Sequence, residues 1–390
     1  MSLSYHDIQR LRDFYKHCIE CQHQMLGYPN ASDYDYQNLW SFLQFSINNI
    51  GDWAEQPHYP MNTFEFEKDV IEYFCRLYHS SLDEAWGYVT NGGTEGNMYG
   101  CYLAREIFPE GIVYFTKDTH YSVMKTIRFL NIEYCMIPSD TRGEMDYDAL
   151  ELALESNPDK SPIIFANIGT TMFGAIDDLK QIQSRLAKVG LSRNQYYIHA
   201  DAACHGMILP YVDNPPPFSF KDGVDSISVS GHKMIGSPIP CGVVLALKKH
   251  TDKVSHEIEY IAGSDKTLTG SRNGITPLFL WQFIRGTSEL EKKQRVQDCL
   301  QLAEHTAQRL NQHGITAWRH LNSNVVVFPK PSEELWRKYY LAVANDMAHI
   351  IIAGQTVANP NRLNQVIEEL IREKTRKTTP EAVTDELVMA

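Results

Sequence analysis

Lys233 closes an apolar run within Ser230-Gly231-His232-Lys233, with Gly231 and Gly236 close on either side. Lysine is rarely placed at the end of a buried strand for packing, because its ammonium is costly to take out of water. A desolvated amine has a lowered pKa and can condense with a carbonyl to a Schiff base. The plainer use of the same residue is a stem that snorkels its charge to the surface. Ser230 and His232 are placed to reach an anion, either a phosphate or the carboxylate of an incoming substrate.

Three upstream features suit a flat, phosphorylated, carbonyl-bearing ring. Asn91-Gly92-Gly93-Thr94-Glu95-Gly96-Asn97 follows a short strand and opens a helix. Its glycines allow close backbone approach to an anion, and the helix start attracts negative charge. Thr94 adds a hydroxyl donor, although it equally suits a helix cap after a plain Gly-rich turn. The spacing is neither the dinucleotide fingerprint nor a P-loop. His120, in KDTHYSV, can stack on an aromatic ring or simply sit at a strand end. Asp201, in YYIHADAACHG, ends a strongly apolar strand, where a buried carboxylate needs a partner. A protonated pyridine nitrogen is such a partner, and the pair makes the ring an electron sink. A cap on the next turn is the alternative. Ala203, two residues on, shares the face and is small enough for a flat ring to lie against it.

These residues need a frame that brings strand ends together. Apolar runs at 87–90, 111–116, 132–138, 162–169, 196–203, 226–231 and 242–247 alternate with helical stretches at 95–107, 121–130, 146–156 and 177–190. Such alternation predicts an α/β fold with a largely parallel sheet covered on both faces. Ligands then collect at the carboxyl ends of the strands. The expected organisation is an N-terminal arm over 1–55, a large domain over 56–275, a small α+β domain over 276–374 and a flexible tail over 375–390. The arm is rich in Tyr, Asp, Asn and Pro, has little core of its own, and is expected to pack on another subunit or on the main body.

The net charge of −12 argues against nucleic acid or an anionic membrane surface as the main partner. No apolar run approaches a membrane span of about 18 residues, and the N-terminus lacks the apolar core of a secretory signal. Eight dispersed cysteines point to reduced thiols and a cytoplasmic protein. Cys18 and Cys21 form a Cys-x-x-Cys flanked by His17 and His23. Without a second pair, and with helical periodicity around them, they read as helix residues, and no metal is expected.

The combination NGGTEGN, DTHYS, NIGTT, HADAA and SGHK resembles pyridoxal-phosphate enzymes of the aspartate-aminotransferase fold (fold type I), in the group II amino acid decarboxylase branch. LGYPNASDYDYQNL, FSINNIGD, GTTMFGAIDDL, VSGHKMIGSPIPCG and GSRNGITPLFLW are similar to bacterial histidine decarboxylases and related plant serine decarboxylases, so the likeness covers roughly residues 20 to 370. The resemblance implies pyridoxal 5'-phosphate as cofactor, with Lys233 as its Schiff-base lysine. Asp201 then pairs with the pyridine nitrogen, His120 stacks on the ring and Ala203 lies on the opposite face. Gly93 and Thr94 bind the phosphate with Ser230 and His232, and Asn167 and Thr170 lie near the cofactor hydroxyl and ring. It further implies a homodimer, or a higher oligomer, with active sites between subunits. Thr269-Gly270-Ser271-Arg272 is expected at that interface, reaching the partner's phosphate site. The implied reaction is decarboxylation of an L-amino acid, with histidine giving histamine favoured over serine giving ethanolamine, because the chain has bacterial length. Transamination or aldol cleavage on the same fold stays open. A catalytically dead scaffold would have no need of an intact Lys, Asp and phosphate loop. Tyr260 is the candidate proton donor.

Overall fold

Seven strands form the central sheet in the computed structural model, which describes residues 3–55 and 58–378. They are β1 (Ala85–Thr90), β2 (Ile112–Thr116), β3 (Glu133–Ile137), β4 (Pro162–Asn167), β5 (Tyr197–Asp201), β6 (Ser226–Ser230) and β7 (Gly242–Leu247), in the order β1-β7-β6-β5-β4-β2-β3. From β6 to β3 every pairing is parallel, and β7 alone is antiparallel to its neighbours. Thr90, Thr116, Asn167, Asp201 and Ser230 therefore end at one edge of the sheet. The reversed β7 begins beside them, with Gly242 paired to both Thr90 and Ser230.

The strands of the middle are buried along their whole length, as apolar runs covered on two faces must be. The helices that cover them are α2 (Phe64–Leu77), α3 (Gly93–Ile107), α4 (Ser122–Leu130), α5 (Tyr147–Glu155) and α6 (Leu179–Lys188); α1 (Tyr5–Gln24) lies apart. α3 crosses β5, β6 and β7. Asp146 and Asp178 accept N–H groups at the starts of α5 and α6, which is why those helices begin there. After β7 come the short α7 (Lys248–Thr251) and a hairpin of β8 (His256–Ile258) and β9 (Gly263–Asp265).

α8 (Thr276–Gly286) packs on α2 and leads into α9 (Glu289–Gln312), which opens with a capping box between Ser288 and Glu291. The chain ends in a three-stranded antiparallel sheet of β10 (Val325–Pro329), β12 (Met347–Ile351) and β11 (Ala342–Ala344), with helices α10 (Glu333–Lys338), α11 (Gly354–Ala358) and α12 (Asn361–Thr378). β8, β9 and β11 were not among the expected strands: three residues are too few to display alternation. The flexible tail expected over 375–390 falls from 379 onward outside the described residues, and α12 runs to Thr378.

In the arm, Ser4 caps α1 by accepting from the Asp7 N–H. Cys18 and Cys21 lie on this helix as free thiols. The segment after α1 crosses to the loop that carries Lys233. The Ala31 N–H donates to the Lys233 carbonyl at 3.0 Å, and the Tyr36 hydroxyl donates to the Ile235 carbonyl at 3.1 Å.

Candidate active site

A cavity of about 180 Å³ opens at the sheet edge where the parallel strands end. Gly93, Thr94, His120, Asn167, Thr170, Asp201, Ala203, Ser230, His232 and Lys233 all line it. These residues span 141 positions of sequence (Gly93 to Lys233), and the parallel order of the strands is what gathers them.

The Gly-rich turn is built for close approach. Gly92 has φ +136°, a conformation side chains rarely adopt. A Cβ on Gly93 would lie 2.7 Å from Ser230 Oγ and 3.2 Å from Ala203 Cβ, so a side chain there would fill the corner. The first turn of α3 thus lines the cavity with its positive end, where an anion is favoured. His232 donates from Nδ1 to the Cys241 carbonyl at 3.1 Å, which leaves Nε2 for a ligand. Burial lowers its pKa, and Lys233 adds to that against the Cys241 contact.

His120 Nδ1 lies 2.7 Å from Ser122 Oγ. Burial lowers its pKa, Asp201 opposes this, and Lys233 and Lys125 support it. A neutral imidazole suits a flat stacking partner. Asn167 Nδ2 donates to Asp177 Oδ2 at 2.8 Å and to Thr116 Oγ1 at 3.2 Å, so Asn167 offers a ligand its carbonyl oxygen, an acceptor. Asp177 is fully buried; burial pushes its carboxyl up to about 7, against N–H donors from Asn167 and Met145. Thr170 Oγ1 accepts from the Ala175 N–H at 3.0 Å, leaving its own proton to donate.

Asp201 is buried and accepts from Asn97 Nδ2 at 2.8 Å and from the Ala203 N–H at 3.1 Å. Lys233 Nζ donates to Cys204 Sγ at 3.1 Å. Burial works to lower the amine's pKa, as the sequence led us to expect. The Cys204 sulfur and the Asp201 carboxylate outweigh it, and the net shift is upward. The amine thus rests protonated and must shed a proton before it can act as a nucleophile.

Two of the expected residues lie outside the cavity that this chain forms. Arg272, expected with Thr269-Gly270-Ser271 at a subunit interface, is one. It is buried, pairs with Glu67 and donates to the Gly51 carbonyl at 3.1 Å, so its charge is used inside the chain. Tyr260 sits at the tip of the β8–β9 hairpin, 76% exposed and outside the cavity. Sequence reading missed Asn97, Asp177 and Cys204. Asn97 follows Gly93 by four residues and so shares its helix face, a signal that was available. Cys204 lies in a turn, where no periodicity predicts direction.

The donor set fits a phosphate, a flat ring with an acidic nitrogen and a hydroxyl, and a carbonyl carbon, all in one cavity. Comparison with known proteins gives the same answer. The pyridoxal-dependent decarboxylase conserved domain matches residues 22–317. The chain is 54% identical to a histidine decarboxylase of Vibrio campbellii (strain ATCC BAA-1116) over 95% of its length and 96% of the relative's. It is 52% identical to a histidine decarboxylase of Morganella morganii over 95% and 98%. A solved L-methionine decarboxylase from Streptomyces sp. 590 superposes with a TM-score of 0.86 at 24% identity, over 95% of this chain and 96% of that one, which establishes the shared fold. With that fold and a family match across most of its length, this chain belongs to the pyridoxal-dependent decarboxylases, and pyridoxal phosphate is its cofactor.

Proposed function

We propose that this chain decarboxylates L-histidine to histamine and carbon dioxide, and that it does so in the cytoplasm as a homodimer. One observation carries the reading: Lys233 and Asp201 share a cavity with a Gly-rich helix start, in a chain half identical to decarboxylases named for histidine. When bound, pyridoxal phosphate supplies an aldehyde for amines and a protonated ring that accepts the electron pair freed as carbon dioxide departs.

The chain's own residues supply the rest. Lys233 is the anchoring amine, and Cys204 Sγ at 3.1 Å is the hydrogen-bond partner beside the proton it sheds. Asp201 holds the proton on the ring nitrogen, since a buried carboxylate with only neutral N–H donors keeps its attraction for a cation. His120 and Ala203 clamp the two ring faces. Gly93, Thr94, Ser230 and His232 hold the phosphate, and Asn167 and Thr170 meet the hydroxyl and ring edge. Asn167, Thr170, Asp201 and Ser230 are buried, and the water they exclude strengthens each electrostatic contact on that side of the cavity.

The homodimer is supported by the arm. Tyr5, Leu11, Phe14 and Tyr15 on α1, with Trp40, Leu43 and Phe45, are each more than half exposed, an apolar surface that a second copy would cover. The cytoplasm is supported by eight free cysteines. Among the described residues, no helix is long and apolar enough to cross a membrane.

The test is purified, cofactor-loaded protein given a panel of amino acids, with carbon dioxide and amine both quantified. Histamine from histidine alone is expected. Ethanolamine from serine as the main product, or turnover without carbon dioxide, overturns the assignment.

A further inference from the structure

We propose that Asn97 is the positioning residue for Asp201, and that His199 fixes which way the Asn97 amide faces. This deepens the reading above and rests on Asp201 being the partner of the ring nitrogen.

Asn97, His199, Ser226 and Ser228 are buried behind Asp201, between α3 and the strands β5 and β6. Asn97 Nδ2 donates to Asp201 Oδ2 at 2.8 Å. On its other side, Asn97 Oδ1 accepts from the Ser228 hydroxyl and faces His199 Nε2 at 3.0 Å. His199 Nδ1 lies 2.7 Å from Ser226 Oγ. A carbonyl oxygen can only accept, so His199 carries its proton on Nε2 and Ser226 donates to Nδ1. Burial pushes His199 down to about 3, so it holds that single proton at any working pH. A reversed Asn97 amide would set its carbonyl against the Asp201 carboxylate and its NH₂ against the His199 N–H. The first contact is repulsive whatever the ring does, and the second is relieved only by moving the His199 proton to Nδ1 and turning the Ser226 hydroxyl to accept it.

The helix reserves space for this arrangement. A Cβ on Gly100 would lie 2.1 Å from His199 Nδ1, and one on Gly96 would lie 2.7 Å from Ser228 Cβ. Asp201 thus receives one neutral donor on each oxygen and forms no ion pair among the described residues. Its orientation is fixed while its charge stays available to a cation in the cavity.

The test uses the cofactor-loaded enzyme and three readouts: cofactor dissociation constant, visible absorbance of the bound cofactor against pH, and kcat separated from KM. His199→Phe frees the amide to turn. Cofactor affinity and kcat are each expected to fall about 10–100-fold, the range for loss of outer-shell partners, with KM for substrate unchanged. His199→Gln, whose Nε2 can donate from the same place, should recover most of the loss. Asn97→Asp puts a second carboxylate against Asp201, so cofactor affinity should weaken as pH rises and recover in mild acid, a dependence added to the native enzyme's own profile. Should the Phe variant not fold, the Gln and Asp variants decide. Native affinity and an unaltered pH profile in Asn97→Asp overturn the proposal, as does a folded His199→Gln no better than His199→Phe. Asp201→Asn separates the levels. If it leaves the absorbance profile unchanged, the ring-nitrogen assignment has failed; if it alters the profile while the Asn97 and His199 variants do not, only the positioning proposal has failed.

Discussion

The C-terminal edge of the central sheet and the helix α1 satisfy their side chains in opposite ways. At the edge, His120, Asn167, Thr170, Asp201 and Lys233 each have a hydrogen-bond partner elsewhere in the same chain. Along α1, Leu11, Phe14 and Tyr15 are 58–68% exposed. The edge is assembled by the strand order together with the start of α3 and the loops that follow β2, β5 and β6. The arm carries apolar surface with no cover in this chain. The contrast separates what the chain satisfies internally from the apolar surface it leaves uncovered, and mutation can break either half of it.

The largest effect is expected at the edge. Lys233→Ala removes the anchoring amine, and turnover should fall by more than about 10³-fold, as when a residue essential to covalent chemistry is removed. Far-UV circular dichroism should stay native, because Lys233 lines a cavity and is not part of the packed core. Substantial turnover with native cofactor absorbance would contradict the anchoring role. Asp201→Ala comes next, with a loss on the order of a hundredfold or more, comparable to removal of a preorganised electrostatic group. A rate near native would show that the ring needs no buried carboxylate.

At the arm the expected damage is to assembly. Leu11→Glu with Phe14→Glu introduces two charges on the exposed face of α1, and each lost apolar contact is worth about 1–3 kcal/mol. Sedimentation should show dissociation into single chains at concentrations where the native protein is paired, with little change in the fold of each chain. A dissociated variant with full activity would confine the site to one chain. An unchanged oligomer would mean that α1 faces solvent by design.

The sequence made the edge more legible than the arm, for a physical reason. Residues such as Asp201 and Ser230 are read from where an apolar run stops, and a parallel sheet brings those stops together. Asn97 reaches Asp201 across 104 positions, and Arg272 reaches Glu67 across 205. Pairings of that range are set by tertiary packing, so the burial of Arg272 against Glu67 could not be read from spacing. The short strands β8, β9 and β11 went unread because three residues carry no period. Cys204 and His205 follow β5 in a tight turn, where direction depends on backbone dihedrals and not on spacing.

His205 sharpens the comparison, because it lacks the partners that His120, Asn167, Thr170, Asp201 and Lys233 have. It is fully buried, and neither ring nitrogen has a hydrogen-bond partner among the described residues. Gly169, at φ +103°, lies against it; a Cβ there would be 1.9 Å from Nδ1. Burial pushes its pKa down to about 3, with His320 and Lys233 adding to the shift. The folded value lies below the ordinary 6.5, so the native state disfavours the proton. The stability tied to this group is therefore present above pH 6.5 and is lost as pH falls toward 3, at about 1.4 kcal/mol per pH unit. His199 behaves alike, but both its nitrogens are bonded. His205→Leu should flatten the acid decline by one histidine's share and cost no more than about 1–2 kcal/mol at pH 7, since no hydrogen bond is lost. His199→Leu should flatten it equally yet cost more at neutral pH, because it strands Ser226 and Asn97. Chemical denaturation from pH 4 to 7 measures both slopes and both intercepts. Equal costs at pH 7 would mean that the His205 ring has partners of its own, and the exception would disappear.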